Sequence, residues 1–252
     1  MFIEERREEI LKELADRGKV VVRELSAKYR VTEGMIRKDL QYLEGLGLLK
    51  RTYGGAIPLK NIAEEVSLNK RLVSNLSKKT EIARKAFARI RDGEIVFVDT
   101  SSINHILCEM IANSSLSITL VTNMVDVVSM FSNNTTVNIV CIGGRYSKSL
   151  GGVIGSEAEN AIRRFHYSKC FIGSAGINTE KGYITNFDLE EGNTKKAVIE
   201  ASSESYILME SSKFYKEGHF RFADLSEITG IITDDDVDDR FRKLKKLVQA
   251  FR

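Results

Sequence analysis

Five short stretches of this 252-residue sequence place hydroxyl side chains, glycines and cations directly after runs of apolar residues. They are Asp99-Thr100-Ser101-Ser102, Thr122-Asn123, Gly143-Gly144-Arg145, Gly173-Ser174-Ala175-Gly176 and Ser211-Ser212-Lys213. Backbone N–H groups, Ser and Thr hydroxyls and a Lys or Arg are the groups with which proteins hold a phosphate. Any one stretch alone is better explained by the frequent occurrence of such residues in turns. Their recurrence at five comparable positions favours a binding site for a phosphate-type anion.

A different chemistry is concentrated in the stretch VTEGMIRKDL, residues 31–40. On a helix with about 100° per residue, Ile36, Leu40 and Leu43 fall on one stripe. The opposite side carries a glycine, two cations and an amide: Gly34, Arg37, Lys38 and Gln41. Arg and Lys bind phosphates or guanine edges, and Gln pairs with adenine. The pattern therefore predicts a helix whose polar side faces duplex DNA.

The elements around this helix are typical of a winged helix-turn-helix. Apolar spacing predicts helices over 4–17 and 23–29 and a third helix from the N-cap Thr32 to about Gly45. Residues 48–51 and 56–57 read as the two strands of a hairpin that turns at 54–55. This hairpin is the wing, which places Lys50 and Arg51 near the phosphate backbone. The alternative is a winged helix that docks another protein and ignores DNA.

The charge distribution agrees with a polyanionic partner. The whole chain has a net charge of +3, and residues 17–60 alone carry 10 Lys and Arg against 4 Asp and Glu, a local net charge of +6. A compact basic region suggests nucleic acid, although an ordinary solvated surface is an equally good reading of charge alone.

Strand and helix patterns alternate through the rest of the chain. Strands are predicted at 94–98, 117–123, 136–144, 169–177, 205–210 and 229–235. Helices are predicted at 103–113, 124–132, 155–165 and 189–203, followed by a C-terminal helix that carries Phe241, Leu244, Leu247 and Val248. This alternation is typical of an α/β domain with a mainly parallel sheet and helices on both faces. The carboxyl ends of its strands then bring the five polar stretches to one edge.

The domain boundaries follow from these patterns. Pro58, the single proline, ends the first block, so residues 1–58 form the DNA-binding domain. Residues 59–77 are polar with scattered apolar positions and are predicted to be a linker with some helix. Residues 78–252 form the α/β domain.

The composition limits the class of protein. Three cysteines, Cys108, Cys141 and Cys170, lie far apart without metal-ligand or disulfide spacing, which fits a reducing, cytoplasmic setting. No run of about 18 apolar residues predicts a membrane span. The N-terminus lacks the apolar block of a secretion signal.

Catalytic sets are not evident. The histidines His105, His166 and His219 are scattered, none of them at a strand end, and only His219 is placed where it could approach a ligand. No Ser-His-Asp set, metal-ligand spacing or Walker loop occurs. Asp99 is better suited to accept a hydrogen bond from a sugar hydroxyl than to act as a general base.

The stretch VTEGMIRKDLQYLEGLGLLKRTYGGA, residues 31–56, resembles the signature V-S-x-x-T-I-R-R-D-L … G-x-L-x-R-x-H-G-G-A of the DeoR family of bacterial transcription regulators. The sequence differs from that signature by Thr32 for Ser, Met35 for Thr, Lys38 for Arg and Tyr53 for His. With the helix geometry above, the resemblance predicts a DNA-contacting surface made of Thr32, Gly34, Met35, Arg37, Lys38, Gln41, Lys50, Arg51 and Tyr53.

The second domain is also similar to this family, in the order RDGEIVFVDTSS, LVTN, CIGGRY, FIGSAGI, TKKAVIE and SSKF. The resemblance implies a sensor fold related to ribose-5-phosphate isomerase, glucosamine-6-phosphate deaminase and CoA transferases. It implies that Thr100, Ser101 and Ser102 form the phosphate loop. Other effector-facing positions are Asp99, Asn123, Gly143, Gly144, Arg145, Gly173, Ser174, Gly176, Lys195 and Lys213. The stretch GSAGI at 173–177 lacks the aspartates of the isomerase-type loop.

The resemblance thus implies a DNA-binding transcription regulator, a repressor of a carbohydrate operon that a phosphorylated sugar releases from its operator. The alternative is a sugar-phosphate isomerase or deaminase with an accessory DNA-binding arm, and the missing carboxylates favour the regulator. The expected partners are duplex operator DNA, a sugar phosphate and further copies of the chain in a dimer or tetramer, because one subunit reads few base pairs. No cofactor, metal or membrane is expected.

Overall fold

The computed structural model describes residues 3–46, 48–57, 61–62, 68–242, 244 and 246–247. The N-terminal part contains three helices, α1 (Ile3–Arg17), α2 (Val22–Tyr29) and α3 (Glu33–Gly45). It also contains three short strands, β1 (Val20–Val21), β2 (Lys50–Thr52) and β3 (Gly55–Ile57), in the antiparallel order β1-β3-β2. The three helices and the β2–β3 hairpin confirm the predicted winged helix-turn-helix.

A small core of its own holds this domain together. The residues of the predicted helical stripes are buried, among them Ile10, Leu14, Leu25, Ile36 and Leu40. The β2–β3 turn is closed by Gly54 at φ 92, a conformation that glycine adopts at little cost. An added Cβ on Gly55 would lie 2.0 Å from the carbonyl oxygen of Val20, so the wing can press directly onto β1.

A six-stranded parallel sheet forms the centre of the second domain. Its strands are β5 (Ile95–Val98), β6 (Thr119–Thr122), β7 (Asn138–Cys141), β10 (Tyr167–Gly173), β13 (Ser202–Leu208) and β16 (Gly230–Ile232). Their order is β16-β13-β10-β5-β6-β7, with parallel pairing throughout. Alternate residues of a strand enter two different core clusters: Phe97 belongs to one, and Val96 and Val98 belong to the other. Both faces of the sheet are therefore covered, as the near-continuous apolar strands predict.

Helices and smaller strands surround this sheet. The helices are α5 (Leu76–Phe87), α6 (Ser102–Ala112), α7 (Ser156–Ile162), α8 (Leu189–Glu200) and the short α9 (Asp239–Arg242). The additional strands are β8 (Arg145–Ser147), β9 (Gly152–Ile154), β11 (Gly176–Asn178), β12 (Tyr183–Asn186), β14 (Lys216–Glu217) and β15 (Phe220–Asp224). Three 3-10 turns in the described residues, Val128–Phe131, Ser211–Tyr215 and Leu225–Glu227, complete this part.

The predicted linker contains more structure than its polar composition indicated. Strand β4 (Asn61–Ile62) pairs in parallel with β14, and a short helix α4 (Leu68–Val73) follows. Helix α5 already begins at Leu76, inside the predicted linker. Pro58 and residues 59–60 lie outside the described residues.

Two predicted helices were wrong in length. Residues 124–132 form only a 3-10 turn, Val128–Phe131, although Met124, Val127 and Phe131 are buried at helical spacing. The valines in this stretch lose side-chain freedom in a helix, which disfavours a long one. At the C-terminus, α9 ends at Arg242, and Leu247 instead forms an isolated parallel bridge with Ile231. Val248 lies outside the described residues.

Candidate nucleic-acid interface and effector site

Helix α3 presents the predicted polar side to solvent. Thr32 caps the helix, and its Oγ1 accepts a hydrogen bond from the backbone N–H of Met35 at 3.3 Å. The predicted contact residues of this helix are all exposed: Thr32, Gly34, Met35, Arg37, Lys38 and Gln41. An added Cβ on Gly34 would meet only the Thr32 hydroxyl, at 3.8 Å, so the backbone at the start of the helix is accessible. The surface has the shape and charge of a helix that enters a major groove.

The orientation of α3 is fixed by a buried ion pair that the sequence analysis missed. Asp39 is 2% exposed and accepts hydrogen bonds from Arg6 Nε at 2.7 Å and Arg7 Nε at 3.0 Å, both from α1. The Arg7 guanidinium also lies 3.8 Å from the ring centre of Tyr42. A signal was present in the sequence, because Asp39 lies between Ile36 and Leu40 on the apolar stripe, where a carboxylate needs a partner.

Two of the predicted DNA-contacting cations are paired with carboxylates of the same domain. Arg37 Nη2 lies 2.9 Å from Glu33 Oε2. Arg51 donates from Nε to Glu44 at 2.6 Å and from its backbone N–H at 2.8 Å. Both ion pairs are solvent-exposed and therefore weak, so phosphate oxygens can displace their carboxylates.

The wing extends the same exposed surface. Lys50, Arg51 and Tyr53 are all exposed, and Tyr53, at the tip of the hairpin, has the relative exposure of a free side chain, 110%. An aromatic ring held so far from the protein surface has no packing role in this domain. Its ring is therefore fully accessible to a binding partner.

At the carboxyl edge of the parallel sheet, the loop after β5 is held rigidly. Ser101 caps α6, because its Oγ accepts a hydrogen bond from the backbone N–H of Asn104 at 3.1 Å. The Asn104 amide donates to the carbonyl oxygens of Asp99 and Phe171, each at 2.8 Å. The backbone N–H of Thr100 donates to Asn123 Oδ1 at 3.1 Å. The three predicted loop residues therefore lie at the positive end of a helix of 11 residues.

Two glycines allow neighbouring loops to approach this one closely. An added Cβ on Gly152 would lie 2.0 Å from Thr100 Oγ1, and one on Gly173 would lie 2.6 Å from the Ser101 Cβ. The Thr100 hydroxyl is buried and has no hydrogen-bond partner among the described residues. A buried hydroxyl without a partner is costly, so this position favours a ligand that supplies one.

Buried charges lie beside the loop. Asp99 Oδ2 accepts hydrogen bonds from the Gly173 backbone N–H at 3.0 Å and from the Lys195 ammonium. Lys195 Nζ also lies 3.1 Å from Glu191 Oε1, one helical turn earlier on α8. Burial opposes the charge of Lys195, but the attraction of the two carboxylates outweighs it and raises the pKa of the lysine above its ordinary value. Lys195 therefore remains protonated at the site and orients Asp99.

Lys213 is the second cation of this edge. It lies in the 3-10 turn Ser211–Tyr215, and its ammonium donates to the carbonyl oxygen of Ser174. Burial lowers its pKa to about 8; the attraction of Glu210 opposes this shift, and repulsion from other cations adds to it. An anion bound beside Lys213 would stabilise its charged form.

The remaining residues predicted to face the effector lie farther from the loop of Thr100 or have a packing role. Gly143, Gly144 and Arg145 are exposed, and the Arg145 guanidinium pairs with Glu190 at the start of α8. Gly176 packs against the backbone of Lys216, where an added Cβ would lie 1.9 Å from the carbonyl oxygen. Its geometry is thus explained by packing between β11 and β14.

Three residues at this edge were not predicted from the sequence: Asn104, Glu191 and Glu210. Glu191 could have been found, because it stands four residues before Lys195 on the same helix. Asn104 and Glu210 carry no local signal, since their partners come from other elements: Asn104 binds the Phe171 carbonyl, and Glu210 accepts a hydrogen bond from Asn75 at 2.6 Å.

Neither metal sites nor membrane spans emerge from the part of the chain that the structure describes. The described residues contain no group of three or more His, Cys, Asp or Glu side chains placed to hold a metal ion. Among the described helices, none is long and apolar enough to cross a membrane.

Comparison with known proteins finds two family models that match different parts of the chain. Residues 6–61 match the DeoR-like helix-turn-helix domain, and residues 74–235 match the DeoR C terminal sensor domain. The chain is 31% identical over 250 residues to the lactose phosphotransferase system repressor of Streptococcus mutans, covering 98% of each protein. It is 27% identical over 241 residues to the HTH-type transcriptional regulator IolR of Bacillus subtilis, covering 96% of this chain and 93% of IolR.

Among solved structures, ribose 5-phosphate isomerase A of Methanocaldococcus jannaschii overlaps 56% of this chain and 55% of its own, with 14% identity and a TM-score of 0.41. That partial overlap carries no functional conclusion. The two domain matches and the full-length similarity to the streptococcal repressor do, and they show that the chain belongs to the DeoR family of transcription regulators.

Proposed function

We propose that the protein represses a carbohydrate operon by binding its operator through α3 and the wing, and that a phosphorylated sugar bound at the sheet edge releases it. The observation that carries the proposal is the presence, in one chain, of two separate groups of side chains whose chemistry suits an anion. One is the exposed cationic side of α3, and the other is the buried edge with the Thr100 hydroxyl and Lys213. The family consists of regulators rather than enzymes, which favours this function over sugar-phosphate turnover.

The operator contact follows from the geometry of α3. Arg37, Lys38 and Gln41 lie on the exposed side of a helix whose buried side is locked to α1. Such a helix can present Arg and Gln to base edges, while Lys50 and Arg51 of the wing bind backbone phosphates. One subunit reads only a short half-site, so we infer that two or more subunits act together as a dimer or tetramer.

The effector contact follows from the groups at the sheet edge. The N-terminus of α6 offers backbone N–H groups, Thr100 to Ser102 offer hydroxyls, and Lys213 offers a cation. Together these groups match the three terminal oxygens and double negative charge of a phosphate ester. Asp99, held by Lys195, is placed to accept hydrogen bonds from sugar hydroxyls.

The two sites are connected through the turn that carries Lys213. Tyr215 and Ser212, in the same turn, lie against Gly18 at the end of α1. Strand β14 directly follows this turn and pairs with β4, which lies between the wing and α4. An effector that shifts Lys213 therefore acts on the position of the DNA-binding domain, and its differential affinity for the two positions sets the size of the response.

The test is an operator-binding assay with the full-length protein. Fluorescence anisotropy is measured on duplex DNA from the region upstream of the genes that adjoin this one, over a series of salt concentrations. Ribose 5-phosphate, glucose 6-phosphate, fructose 6-phosphate and galactose 6-phosphate are then added, with the unphosphorylated sugars as controls. We expect binding that weakens steeply with salt and is reversed by at least one phosphate ester. Binding that no phosphate ester changes would remove the effector half of the proposal.

A further inference from the structure

The two edges of the central sheet end differently. At one edge, the chain covers β16 with its own C-terminal segment: Leu247 forms a parallel bridge with Ile231, and the Ile231 backbone N–H donates to the Lys246 carbonyl oxygen at 2.7 Å. At the other edge, β7 pairs with β6 and with no further strand of the described residues. Residues 138–141 therefore form an open sheet edge.

The backbone groups that face outward from this edge can be assigned. The N–H groups of Asn138 and Ile142 donate to carbonyl oxygens in and beside β6, at 2.9 and 2.8 Å, so these residues are directed toward β6. Backbone groups of successive strand residues alternate between the two sides of the strand. Ile139 and Cys141 therefore direct their N–H and C=O groups away from β6. Each of them offers one donor and one acceptor to a further strand.

The devices that usually protect an open edge are absent from β7 and its flanks. Proteins blunt such edges with lysines and other charges, with proline, with bulges or with very short strands. Residues 127–144 contain no Lys, Arg, Asp, Glu or Pro, in a chain of which 29% is charged. The pairing of β7 with β6 is in register from end to end, and β7 is as long as β5 and β6. The edge is thus left suited to a partner strand.

Two apolar side chains of β7 are only half-buried. Leu120 and Val121 of β6 are fully buried, whereas their neighbours in the sheet, Ile139 and Val140, are partly exposed. Ile139 lies at the margin of one core cluster and Val140 at the margin of the other, one on each face of the sheet. A further strand beside β7 would cover both side chains and remove apolar surface from water.

We propose that β7 pairs in antiparallel orientation with β7 of a second copy of this chain, so that two six-stranded sheets join about a twofold axis. A strand paired in this way is self-complementary. With the axis at Val140, Ile139 of each copy lies opposite Cys141 of the other, and every outward donor meets an acceptor. The neutral edge brings no like charges together, whereas a charged partner strand would find no opposite charge here. The inference rests on the proposed function only for the need of a second subunit at the operator.

A disulfide across the axis tests the pairing directly. The two Val140 residues would form a non-hydrogen-bonded pair with Cα atoms about 4.5 Å apart, which suits a disulfide. The full-length test variant carries Val140→Cys with Cys141→Ser, and its remaining cysteines, Cys108 and Cys170, are fully buried. The matched control carries Ser115→Cys with Cys141→Ser, at an exposed position between α6 and β6. After mild oxidation, a non-reducing gel should show a covalent dimer for Val140→Cys and a monomer for Ser115→Cys.

A charge at the edge tests the pairing in the opposite direction. Sedimentation velocity and light scattering measure the mass of the full-length parent, Cys141→Lys and the conservative Cys141→Ser. A lysine is tolerated on the open edge of a folded subunit, but in the pair it places two ammonium groups near the axis. We expect Cys141→Lys to raise the dissociation constant of the dimer by at least roughly 10-fold and Cys141→Ser to match the parent. Circular dichroism checks that each variant is folded.

The outcomes separate this interface from the proposed function, because operator binding by the parent is measured independently. A tetrameric parent that Cys141→Lys splits into dimers would also support the pairing. An oligomeric parent whose mass Cys141→Lys leaves unchanged, or equal cross-linking by the Val140→Cys and Ser115→Cys variants, would reject β7 as the interface and leave operator binding intact. A parent that binds operator as a monomer would overturn both the pairing and the need for two subunits. If Cys141→Lys fails to fold, the disulfide of Val140→Cys decides.

Discussion

Gly18 lies directly against the ring of Tyr215, so close that an added Cβ would stand 2.9 Å from two of the ring carbons. Gly18 directly follows the first helix of the DNA-binding domain, and Tyr215 ends the turn that carries Lys213. The Tyr215 hydroxyl lies 3.1 Å from Asp238 Oδ2, which holds the ring in place. This contact joins the DNA-binding domain to the turn that carries Lys213.

Gly18→Ala should therefore disturb the junction between the domains. Gly18 has φ +70, and a side chain there costs about 1–2 kcal/mol of backbone strain before any clash with Tyr215. Gly93→Ala is the matched control, because Gly93 has φ +79 and no atom within 4 Å of an added Cβ. Both variants should lose stability in denaturant unfolding, and Gly18→Ala should lose more. Only Gly18→Ala should change how strongly the effector weakens operator binding; equal behaviour of the two variants would contradict a role for this contact.

Arg37→Ala and Lys38→Ala should weaken operator binding without changing effector affinity. Loss of a phosphate contact makes the negative slope of log affinity against log salt concentration less steep by about 0.9. Loss of a base contact instead costs about 1–3 kcal/mol of binding free energy and relaxes the sequence preference. Lys148→Ala, at an exposed position of the sensor domain, removes the same charge and should leave operator affinity near that of the parent. Anisotropy on operator and unrelated duplexes separates the two kinds of contact. Parent-like binding by both α3 variants would exclude this helix as the reading element.

Features that depend on local sequence, both on helix α3 and at the carboxyl edge of the sheet, were predictable. The buried stripe of Ile36 and Leu40 and the exposed Arg37 follow from helix periodicity alone, and the structure confirms them. Strand ends at Asp99 and Gly173 were predictable, because parallel strands bring their carboxyl ends to one edge.

Contacts between distant elements were not predictable in the same way. Nothing near Gly152 indicates that it lies against Thr100, and nothing in α1 shows that Arg6 reaches Asp39. The linker shows the same limit: its polar composition gives no sign that Leu68 packs against Gly151, next to the glycine that lies against Thr100. Such contacts depend on the packing of whole elements, which single-sequence patterns do not encode.

Asp39→Ala should unfold the DNA-binding domain more readily than any exposed substitution on α3. The change leaves Arg6, which is 3% exposed, as a buried charge without its carboxylate, and breaking a buried pair in this way typically costs about 3–5 kcal/mol. Gln41→Ala, on the exposed side of the same helix, is the control for folding and should stay close to the parent. Chemical denaturation followed by circular dichroism measures both. An Asp39→Ala protein as stable as Gln41→Ala would show that the pair does not hold α3 on α1.

Effector binding should weaken as the pH rises through the pKa of Lys213. Burial lowers that pKa to about 8, against an ordinary value of 10.5 in the unfolded chain. Between these two values the unfolded state binds more protons than the folded state, so the contribution of Lys213 to stability without effector rises with pH. The effector anion requires the charged lysine, so its affinity should fall over the same range.

The charge of the ligand stays nearly constant over the tested pH range, because a phosphate ester loses its second proton near pH 6. Titration calorimetry at pH 7, 8 and 9 should show affinity falling in the parent and staying flat in Lys213→Met, which binds weakly throughout. Lys148→Met, an exposed lysine in the same domain, should keep the pH dependence of the parent. A parent whose affinity does not change from pH 7 to 9 would remove Lys213 from the anion site while leaving operator binding by α3 untouched.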